Sequence, residues 1–128
     1  KTGPGTDARY TIAAVSRLTG VSCHTLAALK TAAASAWVEV DLARINPAGV
    51  AMDAAPGEVL PILKQMKASG KGIIGMKIFG AGRLRQRADE CLQYALAQDA
   101  VDCFTIGSES EAELKDLLAK IPAASTRG

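Results

Sequence analysis

Three apolar, partly β-branched runs, at residues 38–45, 72–79 and 101–106, each give way to a stretch whose apolar positions recur at helical spacing. This alternation predicts parallel βα units, because a parallel strand needs a crossover helix before the next strand can pair with it. A fourth, weaker run at 20–23 precedes an Ala-rich segment with Ala27, Leu29 and Ala32 to Ala34, read as a short helix. After the run at 38–45, Val59, Leu60, Leu63 and Met66 share one helical face, with Pro61 placed near the first turn, where a missing N–H is tolerated. After the run at 72–79, Leu84, Ala88, Cys91, Leu92 and Ala95 form an apolar face and leave Arg83, Arg85, Arg87 and Glu90 as a solvated face rather than a binding patch. The last helix, from about Glu109, is expected to bury Leu114, Leu117, Leu118 and Ile121 and to close at Pro122. Trp37, Cys91 and Cys103 are assigned to core packing.

The junction at residues 101–114 has the most chemical content, because a short apolar strand runs through one glycine straight into a helix. Gly107 is read as the tight turn that lets backbone approach a ligand, Ser108 as the helix cap, and Glu111 as the partner that completes a capping box. The free N–H groups of such a first turn favour an anion, and a (β/α)8 barrel places its phosphate site after its last strands. The chain has 128 residues, about half of the roughly 250 that a complete barrel needs.

Charge and cysteine usage narrow the classes further. A formal net charge of +2 on a balanced surface supplies no electrostatic footprint for nucleic acid or an anionic membrane. Cys23, Cys91 and Cys103 are odd in number and widely spaced, which indicates neither a disulfide framework nor a zinc site and suggests a reducing, cytoplasmic setting. His24 is the sole histidine, so no multi-histidine metal site is expected. No apolar run approaches the ~18 residues of a membrane span, and the chain opens on Lys1 rather than Met, which suggests processing or a fragment of a longer protein. Residues 1–9 are read as a flexible segment, 10–122 as one packed domain and 123–128 as a tail.

Taken in order, Gly20-Val-Ser-Cys-His-Thr-Leu26, Val38-Glu-Val-Asp-Leu-Ala-Arg-Ile-Asn-Pro47, Gly72-Ile-Ile-Gly-Met-Lys-Ile-Phe-Gly80 and Phe104-Thr-Ile-Gly-Ser-Glu-Ser110 resemble the aldo/keto reductase family. The resemblance implies α/β architecture with parallel βα repeats forming the second half of a TIM (β/α)8 barrel. It also implies hydride transfer between NAD or NADP and a carbonyl or alcohol. Position by position it places Ser22 and Cys23 at the nicotinamide carboxamide, with Cys23 standing where relatives carry Asn, and Met76 where many relatives stack an aromatic ring. It places Phe79, Gly80 and Gly82 in the loop over the pyrophosphate, and Gly107, Ser108, Glu109, Ser110 and Lys115 at the adenosine phosphate end. Glu109 stands where NADP users commonly carry Lys or Arg, which favours NAD, since a carboxylate repels a 2′-phosphate and can accept from ribose hydroxyls. The family's catalytic Asp, Tyr, Lys and His come from its first four strands, and no residue here matches them. The expected partners are therefore the nicotinamide cofactor and a missing N-terminal half-barrel or a second copy of this chain.

Two other functions compete. Residues 10–26 are similar to the opening helix-turn-helix of MerR-type regulators, but the chain continues Ala27-Ala-Leu-Lys-Thr-Ala-Ala-Ala34 without the aromatic and Arg-rich stretch that makes phosphate contacts in DNA. Lys77 sits near the C-terminal end of a strand, where a barrel lyase would use a Schiff-base lysine; an ion pair with Glu39 or Asp41 is the alternative. Arg44 and Asn46 end their strand on the same side, as substrate contacts or as loop-stabilising residues.

Overall fold

A computed structural model describes residues 17–125. Four strands, β1 (Gly20–Ser22), β2 (Val40–Arg44), β3 (Gly72–Met76) and β4 (Cys103–Phe104), form one parallel sheet in sequence order. Helices α1 (Leu26–Ala34), α2 (Pro56–Ala68) and α3 (Ala88–Leu96) are the crossovers, and α4 (Glu111–Ala124) follows β4. The expected βα alternation and α/β class are therefore observed, with each strand shorter than its apolar run. Of the helix-turn-helix-like stretch, residues 10–16 lie outside the described residues, as does the expected flexible segment 1–9, while Gly20–Ser22 is a strand and α1 starts at Leu26.

Local chemistry sets the helix limits. Thr25 caps α1 by accepting from the Ala28 N–H at 3.1 Å. Pro56 takes the first position of α2, where it costs no helix bond, so Pro61 is the sixth residue of that helix and not in its first turn as expected. That helix ends in a Schellman motif: Gly70 has φ +87°, its N–H donates to Lys67 O at 3.0 Å, and the Lys71 N–H donates to Met66 O at 3.0 Å. Leu84 is buried but precedes a single 3-10 turn (Arg85–Arg87), and α3 proper begins at Ala88.

At the last helix the expected cap is displaced by two residues. Ser110, not Ser108, accepts from the Glu113 N–H at 3.1 Å, and Glu113 returns a bond to the Glu109 N–H at 2.5 Å. The chain contains two overlapping Ser-x-x-Glu frames, and the one that leaves residues 105–109 outside the helix is used. Pro122 lies within α4, which runs on to Ala124 and takes in the first two residues of the expected tail. Leu117 and Ala124 are buried, whereas Leu114 and Leu118 are exposed, because the buried stripe runs through Leu117, Ile121 and Ala124 at i, i+4, i+7 and the other pair forms a stripe beside it.

The core lies between the helices and one face of the sheet. Asp41, Ala43 and Ile45 from β2 and its end, with Ile73 and Gly75 from β3, face the helices and are buried, together with Leu29, Val59, Leu63, Met66, Cys91 and Leu92. Val40, Leu42, Ile74 and Met76 project to the other face and are only partly covered. Cys103, expected in the core, is exposed because it lies on this second face, in register with Ile74. Trp37 is 41% exposed rather than packed in the core, at the rim of an open hollow that it shares with Val21 and Ser22 of β1 and Ala28 and Thr31 of α1.

Candidate functional site

The loops that leave the C-terminal ends of β3 and β4 enclose a cleft of about 370 Å³, in the ~300–1,000 Å³ range of small-molecule sites. Its β3 side is built from Met76, Lys77, Phe79, Gly82 and Arg85, and its β4 side from Thr105, Ile106, Gly107 and Ser108. The β3 loop has an unusual backbone. Lys77, Gly80, Ala81 and Gly82 all have left-handed φ, at +57°, +54°, +59° and +87°. In Lys77 and Ala81 this conformation works against a Cβ, and strain of this kind clusters at binding loops. Gly80 cannot be replaced without movement, because a Cβ there would lie 2.8 Å from Val50. Gly107 differs from expectation: its φ is not left-handed and a Cβ would meet nothing within 4 Å, so neither a tight turn nor close packing requires glycine there.

The electrostatics of the cleft come from two cations. Lys77 is exposed and makes no ion pair with Glu39 or Asp41, contrary to expectation. The register aligns Arg44 with Met76 and Asp41 with Ile73, so Lys77 lies four residues, roughly 13 Å, beyond the level of Asp41, and Glu39 is engaged by the Thr19 N–H at 2.8 Å. Arg85, assigned from sequence to a solvated face, instead lines the cleft. Its Nη1 pairs with Glu109 Oε1 at 2.5 Å and its Nε donates to Glu113 Oε1 at 3.0 Å. The spacing Gly80-Ala-Gly82-Arg-Leu-Arg85, with a glycine loop three residues before an arginine, is the signal that would have located it.

Among the residues singled out from the sequence, Met76, Phe79, Gly82, Gly107 and Ser108 meet in this cleft. Gly80 is buried in the same loop. Ser22 approaches from β1, its Oγ 4.0 Å from Met76 Sδ on the less covered face. Cys23 points away into the core, its Sγ 3.6 Å from Asp41 Oδ1. Glu109 is held by Arg85, Ser110 is spent on capping α4, and Lys115 pairs with Glu111 at 2.6 Å along the helix and does not line the cleft.

β2 and the loop after it carry a buried polar cluster, in which the sequence pattern singled out Asp41, Arg44 and Asn46 but not the contact of Asp41 with Cys23 or the presence of Asp53. Asp41 is 0% exposed, and burial pushes its carboxyl up to about 6; the Cys23 thiol hydrogen bond opposes this and nearby Asp53 adds to it. Burial likewise pushes the Cys23 thiol up to about 11, with the Asp41 carboxylate acting in the same direction, so this cysteine is not an activated nucleophile. Burial also raises Asp53, against the opposing pull of Arg44, whose Nε is 3.9 Å from Asp53 Oδ1. Asn46 serves the loop: its side chain donates to Val50 O and Lys77 O at 2.8 and 3.1 Å and accepts from the Val50 N–H at 3.0 Å. It thereby ties the β2 loop to the strained start of the cleft loop.

Among the described residues no group of three or more His, Cys, Asp or Glu side chains could hold a metal ion, and no helix is long and apolar enough to cross a membrane. Comparison with protein-family models, curated proteins and solved structures gave no significant match.

Proposed function

We propose that this chain is the cofactor-binding second half of a (β/α)8 barrel of aldo/keto reductase type, and that the cleft beyond β3 and β4 receives the phosphate-bearing part of a nicotinamide dinucleotide. The observation that carries this reading is the convergence of Met76, Phe79, Gly82, Gly107 and Ser108, chosen from motifs some 30 residues apart, on one cleft at the C-terminal ends of adjacent parallel strands. That end is where barrels and open parallel sheets bind ligands. Lys77 and Arg85 provide positive charge there, and the glycine loop lets backbone N–H groups come close to phosphate oxygens. The contact between Ser22 and Met76, across the intervening β2, supports a sheet curled toward its less covered face.

When bound, the cofactor supplies the hydride. Met76 and Ser22 flank its nicotinamide end, the loop at residues 77–85 holds its diphosphate, and Glu109 disfavours a 2′-phosphate, so NADH binds more tightly than NADPH. No residue of this chain is assigned to proton transfer; that group belongs to a complementing first half-barrel. Calorimetric titration with NADH and NADPH tests the reading. Saturable binding with NADH preferred is expected, and absence of binding by the chain, alone and mixed with a complementing half, overturns it.

A further inference from the structure

Arg85 meets two carboxylates in different ways. Glu113, largely covered, accepts from Nε at 3.0 Å and is itself fixed by the Glu109 N–H, so it anchors the guanidinium to the first turn of α4. Glu109 reaches Nη1 at 2.5 Å from a side chain that is 74% exposed, and an exposed ion pair of this kind is weak and readily exchanged. The guanidinium also packs against the cleft loop, since a Cβ at Gly82 would lie only 3.4 Å from Nη1. The cation is thus aimed into the cleft and held from behind, while the carboxylate on its open side is free to swing away.

We propose that Glu109 is an internal competitor for the anion of this cleft: in the free chain it occupies Arg85, and a diphosphate-bearing ligand displaces it and takes over the guanidinium between Lys77 and the backbone at Gly107 and Ser108. The proposal rests on the reading of the cleft as a phosphate site, but not on the ligand being a nicotinamide cofactor. A diphosphate is the class that fits, because it can bridge the two cations of the β3 wall, Lys77 and Arg85, and carries more charge than the single carboxylate it replaces.

Inorganic pyrophosphate and NADH, titrated separately at low ionic strength into the wild-type chain, E109Q and R85Q, test this. Removing the competitor in E109Q should tighten pyrophosphate binding roughly two- to fivefold, the range expected for loss of one exposed ion pair. R85Q should bind it at least several-fold more weakly than wild type while keeping the same melting transition. Unchanged or weaker pyrophosphate binding by E109Q overturns the competitor role, even where wild type binds both ligands. Tighter binding by E109Q with no NADH binding by any variant upholds this proposal and defeats the nicotinamide reading. Failure of all three chains to bind either ligand, alone and mixed with a complementing half, overturns both.

Discussion

Asp41, buried within β2 beside Cys23 and Asp53, ties stability to pH. Its folded carboxyl has a pKa raised from 3.8 to about 6, so the fold holds this proton more tightly than the unfolded chain does. The stabilisation is therefore complete below about 3.8 and is lost as pH rises through about 6, up to roughly 3 kcal/mol over that window. Asp41→Asn should remove the effect. Melting of wild type and variant compared from pH 4.5 to 7.5 should show wild type losing stability relative to Asp41→Asn as pH rises; parallel curves would refute the buried-carboxyl account. This residue was legible in the sequence only as one of two carboxylates alternating with valines and leucine. Strand alternation shows that residues 39 and 41 share a face, but not which face the helices cover.

At the scale of elements, the join between β4 and α4 positions the cleft. Ser110→Ala should cost about 1 kcal/mol of stability through the lost cap and loosen Arg85 through Glu113, whereas Ser108→Ala should leave stability within about 0.5 kcal/mol. Urea unfolding of the two variants decides between the two capping frames, and a larger loss in Ser108→Ala would contradict the structure. The sequence could not choose between these frames, because Ser108 with Glu111 and Ser110 with Glu113 satisfy the same rule. The order of strands and crossovers was readable because apolar periodicity changes between strand and helix. The cleft loop was readable only in part: the resemblance marked Phe79, Gly80 and Gly82, but the left-handed Lys77 and Ala81 are types that carry no turn signal, and Arg85 was assigned to a helix flank.

For the whole molecule, the sheet ends on β1 at one side and β4 at the other, each paired along one edge only among the described residues. Exposed large apolar side chains lie at both flanks, Leu18 and Trp37 beside β1 and Leu114 and Leu118 on α4, while among the described residues no helix lies over the sheet face bearing Val40, Leu42, Ile74 and Met76. Two such units closing on each other would pair the edges and give eight strands. Sedimentation equilibrium at micromolar concentration should show a dimer, or a one-to-one complex when a complementing half is supplied; a compact monomer with a cooperative melt would contradict closure. The half-barrel reading came from motif order and chain length, and the chemistry at its end is the account's central claim. Amide chemical shifts followed by NMR during NADH titration test that claim most directly. The account predicts that the largest shifts fall at Gly82, Arg85, Gly107 and Ser108, with saturation at a common affinity; saturable shifts centred elsewhere, or none at those residues, would contradict it.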